Sequence, residues 1–182
     1  MKRRGLLIGA LFALAACATT PATAPPPGEF SSDRISVVVQ GGSGPDVILI
    51  PGLSSSRDVW NTTADALDDH YRVHLVQLNG FAGAPVGANG DGPVSAPVAE
   101  EIARYIGENH LDHPAVIGHS MGGSIGMMLA ARHPEAVGKL MVVDMFPFMG
   151  AMFGGPGATA ESVTPIADQI RGAMRMAPQG VV

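Results

Sequence analysis

Apolar runs alternate with helical segments along the chain from residue 34 onward. Runs rich in branched apolar residues predict five β-strands, at 35–39, 47–50, 72–78, 115–117 and 139–143. Between and after them, helical patterning and cap residues predict helices at 57–68, 94–107, 121–132 and 164–176. The sequence has no internal repeats.

Residues 47–50 and 115–117 are continuous apolar runs rather than apolar–polar alternations, which is typical of strands buried on both faces. Strands separated by helices favour right-handed β-α-β units and a parallel sheet. The pattern therefore predicts an α/β fold, a three-layer sandwich around a mostly parallel central sheet, and it does so without any motif.

The first 16 residues are typical of an export signal. Lys2, Arg3 and Arg4 form a positive segment, and residues 5–16 form an apolar segment of 12 residues. This segment is too short to span a bilayer, which needs about 20 apolar residues. We therefore expect an exported protein of the bacterial cell envelope.

The signal segment ends in Leu-Ala-Ala-Cys at residues 14–17, which resembles the bacterial lipobox. The resemblance implies lipidation of Cys17, the only cysteine, and a membrane contact through that lipid. The neutral Ala18 then favours the outer membrane, with the protein facing the periplasm. An ordinary signal peptide remains the alternative, because Ala16-Cys17-Ala18 also fits a cleavage site. Residues 17–33 contain a Pro/Thr/Ala-rich stretch and predict an extended tether.

The charge of the chain excludes one class of partner. The formal net charge is -5, and without Lys2, Arg3 and Arg4 eight basic residues stand against sixteen acidic ones. An acidic balance with no basic cluster argues against nucleic-acid binding. The sequence does not indicate an oligomeric state.

Ser120 is the candidate nucleophile, because Gly118-His119-Ser120-Met121-Gly122 has the form G-x-S-x-G. The pentapeptide alone is weak evidence, since residues 122–126 repeat the form around Ser124. Context separates the two serines: Ser120 lies between a predicted strand and a predicted helix, whereas Ser124 lies inside that helix. A serine at such a turn is presented above the sheet edge, where a base can take its proton.

Two backbone N–H groups are candidates for an oxyanion hole. Met121 begins the helix after Ser120, so its N–H points toward the site together with the positive end of the helix dipole. Leu53 follows Pro51-Gly52 at the end of an earlier strand and predicts the second donor. Trp60 is interpreted as a packing residue.

Four ordered segments resemble the serine-nucleophile branch of the α/β-hydrolase superfamily, the single-domain esterases, lactonases and C–C hydrolases. They are residues 49–52 with Trp60, residues 78–83, residues 116–123, and residues 133–135 with 140–144. The resemblance covers about residues 34–148. Gln77 and Asn79 replace the Asp and Pro choices that are common in the second segment.

The resemblance implies an enzyme that hydrolyses carboxylic esters or related acyl bonds of a small-molecule substrate, with no cofactor and no metal. Related epoxide hydrolases and dehalogenases have an Asp nucleophile at the position of Ser120, so Ser120 argues against both.

The catalytic triad of the family follows the chain order serine, acid, then histidine, yet none of the six histidines lies after residue 133. His119 is expected to pack or line the site, His133 to end a helix, and the remaining four to lie on the surface.

Asp144 has two open interpretations, the triad acid or a structural carboxylate at a strand end. Residues 34–148 are expected to form the hydrolase core and residues 149–182 the start of a cap. The apolar residues that follow the last predicted strand either line an acyl pocket or pack on the sheet and cap: Met145, Phe146, Phe148, Met149, Met152 and Phe153.

The absence of a base predicts that the chain is an incomplete hydrolase, inactive alone, whose last strand forms an open apolar edge. A non-catalytic binding module and a gene fragment without function of its own remain alternatives.

Overall fold

The computed structural model describes residues 30–176. The predicted signal segment, Cys17 and most of the predicted tether therefore lie outside the described residues. The strands are β1 (Ile35–Gly41), β2 (Asp46–Ile50), β3 (Arg72–Leu78), β4 (Ala115–His119) and β5 (Lys139–Val143). The α-helices are α1 (Asn61–Leu67), α2 (Ser95–Glu108), α3 (Met121–Arg132), α4 (Gly150–Gly154) and α5 (Ala160–Met176). No helix within residues 30–176 combines the length and apolar character needed to cross a membrane.

The five strands form one sheet in the order β1-β3-β2-β4-β5. Strand β1 runs antiparallel to β3, and the other three pairings are parallel. The central strand β2 is buried at every position, which the apolar run at 47–50 predicts and which also encloses Asp46 at its first position. The α/β fold class with a mostly parallel central sheet is therefore confirmed.

Helices cover both faces of the sheet, but unequally. Alternate residues of β2 divide the core, since Ile48 and Ile50 face a large cluster and Val47 and Leu49 face a small one. The large cluster takes up the apolar stripe of α2, at Val98, Ala99, Ile102, Tyr105 and Ile106, and buried residues of α3. The small cluster is closed by α1 through Ala64, with Trp60 packed against it as predicted. The layers thus form a helix–sheet–helix sandwich.

Strand β5 has a neighbour on one side only within residues 30–176. Three of its four apolar side chains are exposed, with Leu140, Met141 and Val143 at 36%, 58% and 38% accessibility. The predicted open apolar edge is confirmed for the part of the chain that the structure describes.

Two helix predictions differ from the structure in detail, and one helix was missed. The predicted helix at 57–68 is a 3-10 helix (Arg57–Trp60) followed by α1. Helix α5 begins at Ala160, four residues before the predicted start. There Thr159 and Ser162 exchange side-chain and backbone hydrogen bonds of 3.0 and 3.2 Å, a reciprocal cap that satisfies the first N–H groups. The short helix α4 was not predicted.

Candidate functional site

Ser120 lies in the turn between β4 and α3 with φ 51° and ψ -120°. These angles match the first central position of a type II′ turn, which glycine dominates because a Cβ atom is crowded there. The Ser120 N–H donates to the carbonyl of Val143 at 2.9 Å, which ties the turn to the end of β5. A serine held in this conformation is a strained residue at the carboxyl edge of the sheet.

Glycine is required two residues before and two residues after Ser120, because other backbone atoms lie too close for a Cβ atom at either position. A Cβ atom at Gly118 would lie 2.2 Å from the Gly122 carbonyl oxygen, and one at Gly122 would lie 2.3 Å from the Ile50 carbonyl oxygen. Ser124 differs from Ser120 because it lies within α3, where its N–H donates to the Ser120 carbonyl at 3.2 Å. Of these two serines, the structure therefore places Ser120, and not Ser124, at a strand-to-helix turn.

The loop after β2 lies directly against the turn. A Cβ atom at Gly52 would come within 3.4 Å of the Ser120 Cβ and 3.0 Å of the His119 ring. Leu53 follows Gly52 and is half exposed, and Met121 begins α3. Among the hydrogen bonds of residues 30–176, neither the Leu53 nor the Met121 N–H has an acceptor. Met121 thus directly follows Ser120, and Leu53 follows the glycine that lies against the turn.

The histidine predictions are correct except for one. His70, His110 and His113 are exposed, His119 is half-buried beside Gly52, and His133 follows the end of α3. His74 was expected on the surface, and this prediction is wrong because only 2% of the residue is accessible. It lies in β3, which is flanked by β1 and β2. No local sequence pattern indicated this burial, because it depends on the elements that enclose β3 in the fold.

His74 belongs to a buried polar cluster near the amino-terminal end of the sheet. Its Nε2 lies 2.8 Å from Asp46 Oδ1, and its Nδ1 lies 2.7 Å from the Tyr105 hydroxyl. Arg72 binds both oxygens of Asp46, at 2.6 and 3.1 Å. This arrangement suits a neutral imidazole that donates from Nε2 and accepts at Nδ1.

The pKa values of the cluster reflect its burial. Burial lowers the pKa of His74, and Asp46 offsets this only in part. Burial alone would raise the pKa of Asp46, but hydrogen bonds and charges from Arg72 and His74 hold that pKa below its usual range. Burial raises the pKa of Tyr105 to about 12. Every polar member thus has a partner, which is typical of a stabilising network.

Asp144 follows β5 at the carboxyl edge of the sheet, where His119 of β4 pairs with Val143 of β5. The residue has φ 53° and is exposed. Its carboxylate has no hydrogen bond or ion pair with any residue in the described range 30–176. Asp144 therefore shares the carboxyl edge of the sheet with Ser120.

The apolar segment after β5 is largely exposed. Phe146, Met152 and Phe153 are 61%, 65% and 55% accessible. Helices α4 and α5 form an open groove of about 450 Å³, whose apolar lining includes Met149, Phe153, Val163, Ile166 and Ile170. Only some of the predicted acyl-pocket residues line this groove.

Within residues 30–176, no group of three or more acidic, histidine or cysteine side chains could hold a metal ion.

Comparison with known proteins places the chain among hydrolases. A family described as alpha/beta hydrolase fold matches residues 45–159. The pimeloyl-[acyl-carrier protein] methyl ester esterase of Aeromonas hydrophila is 38% identical over 118 residues, which cover 64% of this chain and 44% of the relative. The enzyme of the same name from Aeromonas salmonicida is 34% identical over 136 residues, 74% of this chain and 51% of the relative.

A solved structure described as a marine microorganism esterase is also similar. It has a TM-score of 0.60 and 27% identity, and the match covers 81% of this chain and 52% of that one. The chain spans about half the length of the curated relatives it matches.

Proposed function

Because the chain belongs to the alpha/beta hydrolase family, we propose that it carries the nucleophile and oxyanion hole of a serine hydrolase that acts on carboxylic esters or related acyl bonds of small molecules. The observation that carries the proposal is the backbone of Ser120, a non-glycine residue at φ 51° and ψ -120° between β4 and α3. Strain of this kind persists only where the surrounding structure enforces it, and it concentrates at functional sites. The esterase relatives support the choice of acyl bond.

In the proposed reaction the Ser120 hydroxyl oxygen attacks the carbonyl carbon of the ester. Its proton passes to a base, and the N–H groups of Leu53 and Met121 bind the oxyanion that develops. The carbon–oxygen bond to the alcohol then breaks, and the base returns the proton to the leaving alcohol. Water attacks the acyl–serine ester by the same steps in reverse and releases the acid.

The base is proposed to lie outside the six histidines of this sequence. His74 is buried in its own network, and His119, the neighbour of Ser120, lies against Gly52. No histidine is hydrogen-bonded to the Ser120 hydroxyl within residues 30–176. The 182-residue chain alone is therefore proposed to be inactive, with the base supplied in a longer protein that carries it. Asp144 is the candidate acid in this part of the fold.

The test compares two serines that share the G-x-S-x-G form. In a preparation that hydrolyses short acyl esters, Ser120→Ala should lower kcat by about 10³-fold or more, because the nucleophile is lost. The matched control Ser124→Ala should retain kcat within about threefold, because that hydroxyl lies within α3. Full turnover by Ser120→Ala would refute the assignment. Ligand binding without turnover in every preparation would favour the non-catalytic alternative.

A lipid anchor at Cys17 is a separate proposal, supported by the basic segment, the apolar segment and the lipobox-like residues 14–17. The proposed location is the bacterial cell envelope, on the periplasmic face of the outer membrane. Cys17→Ser should release the protein from washed membranes and abolish incorporation of labelled palmitate. Continued membrane association of unlabelled Cys17→Ser protein would contradict the anchor.

A further inference from the structure

Gln77 is a buried polar residue whose side chain hydrogen-bonds to neither a charged group nor another side chain. It lies next to the last position of β3, at the carboxyl edge of the sheet, and only 6% of it is accessible. Asp46 and His74, which are also buried, pair with each other near the opposite end. Gln77 instead bonds to the backbone of two loops, so its role differs from theirs.

The amide of Gln77 bridges the loops that follow β2 and β3. Its Oε1 accepts from the Arg57 N–H at 2.9 Å. Its Nε2 lies 3.4 Å from the Ser55 carbonyl, 3.1 Å from the Leu78 carbonyl and 3.3 Å from the Phe81 carbonyl. The orientation of the amide is fixed, because a flipped group would turn its oxygen toward three carbonyls. The bridge therefore needs an acceptor and a donor in one side chain.

The loop held by Gln77 is the one that bears Leu53. Its inner part lies against the nucleophile, since a Cβ at Gly52 would be 3.4 Å from the Ser120 Cβ. A turn closes within the loop, with the Ser55 N–H donating to the Gly52 carbonyl at 3.3 Å. The outer part is fixed by Gln77 at Ser55 and Arg57, so the loop is anchored on the side away from Ser120.

The Arg57 side chain reinforces the same anchor. Its guanidinium donates to the Leu75 carbonyl at 3.3 Å and to the Ser36 hydroxyl, which reaches from β3 to β1. Burial lowers the pKa of Arg57. Together, Gln77 and Arg57 fix the end of the loop on two strands.

We propose that Gln77 is a positioning residue for the oxyanion hole: its amide holds the loop of residues 51–57 so that the Leu53 N–H stays beside Ser120. The proposal rests on the serine-hydrolase function proposed above. An oxyanion donor acts mainly in the transition state, so a displaced loop lowers kcat more than it raises KM. Because the amide both accepts and donates, a carboxylate of the same shape cannot replace it: the carboxylate would face three carbonyl oxygens.

The test is Gln77→Glu in the preparation used for the Ser120 assay, with kcat expressed per active site by titration. At pH 8 the carboxylate should lower kcat by about 10- to 100-fold, with KM within about threefold. As the pH falls, the introduced carboxyl group becomes protonated and regains a donor, so the ratio of variant to wild-type kcat should rise. A residue with a merely structural role would not produce this recovery.

Two further variants keep the test decisive. Gln77→Met has a similar shape but no polar atoms, so it should lose kcat and show no recovery at low pH; it also serves if Gln77→Glu fails to fold. Gln40→Glu is the matched control in β1, where the amide bonds to Asp65 and Asp68, away from the loop. It should leave kcat unchanged.

The outcomes separate the two proposals. If Ser120→Ala abolishes turnover while both Gln77 variants keep wild-type kcat per active site, the positioning role is overturned and the nucleophile stands. If Ser120→Ala keeps turnover, both proposals are overturned. Loss of kcat with recovery at low pH in Gln77→Glu alone supports the positioning role.

Discussion

The polar groups at the two ends of the sheet differ in whether their hydrogen bonds are satisfied. Near the amino-terminal end, Asp46, Arg72, His74 and Tyr105 form a cluster in which each polar group has a partner. At the carboxyl end, Ser120 has a strained backbone and lies beside N–H groups without acceptors in the described residues. Both ends combine residue types found in catalytic triads, so composition alone does not separate them. Satisfied hydrogen bonds indicate a stabilising role, whereas strain and free donors indicate a functional one.

The largest expected effect comes from substituting Gly122, which lies close to the backbone after β2 at the carboxyl end of the sheet. A Cβ atom from Gly122→Ala would lie 2.3 Å from the Ile50 carbonyl oxygen and 2.6 Å from that of Pro51. We expect a loss of about 3 kcal/mol in the free energy of unfolding, together with loss of hydrolysis, because the loop beside Ser120 must move. Denaturant unfolding measures the first effect, and an ester assay in the preparation used for the Ser120 variants measures the second.

The matched control is Gly107→Ala, in helix α2, where a Cβ atom would meet nothing within 4 Å. It should gain about 0.5–1 kcal/mol, because alanine is favoured over glycine in helices. Equal stability of Gly122→Ala and Gly107→Ala would contradict the close approach.

The second prediction concerns the pH dependence of the amino-end cluster. Because the pKa of His74 is lower in the folded chain than in the unfolded one, the unfolded chain binds more protons near pH 6. Stability should therefore fall as the pH drops from about 7 to about 5. The lowered pKa of Asp46 has the same sign, and its contribution is lost at still lower pH.

Denaturant midpoints across this pH range measure the effect. His74→Gln should be less stable at neutral pH and should show a flatter dependence between pH 7 and 5, about the range in which histidine titrates. An identical slope in wild type and His74→Gln would mean that His74 is not the titrating group.

The smallest effect tests the strain at Ser120 directly. Ser120→Gly should raise the free energy of unfolding by about 1 kcal/mol while abolishing activity, because glycine adopts φ 51° without a Cβ penalty. Ser124→Gly should instead cost about 0.5 kcal/mol, because Ser124 lies within α3. Thermal unfolding of both variants checks the opposite signs, and a loss of stability in both would remove the argument from strain.

The sequence predicted most of the sheet because strand burial leaves a clear apolar signal. Residues 72–78 and 139–143 match β3 and β5 fully, and β4 extends two residues past the prediction, to His119. The start of α5 was missed because Thr159 and Ser162 form a cap that precedes Pro165, and proline is favoured at the first position of a helix rather than inside it.

The candidate site was predictable only in part. The glycines around Ser120 and the order of the segments indicated the turn, since both depend on local sequence. The burial of His74 and the bridge made by Gln77 depend on which strands lie beside β3 and which loops meet above it. Such contacts join residues up to 31 positions apart in the chain, as between His74 and Tyr105, so no local pattern encodes them.

The most direct test of the central claim is covalent labelling of the active enzyme with a fluorophosphonate ester, a reagent that traps activated serines. Tandem mass spectrometry of the peptide that contains residues 118–126 separates Ser120 from Ser124. One phosphonyl group per chain on Ser120, formed as hydrolysis is lost, is the predicted result. Labelling of Ser124, or complete inhibition with Ser120 unmodified, would contradict the assignment of Ser120 as the nucleophile.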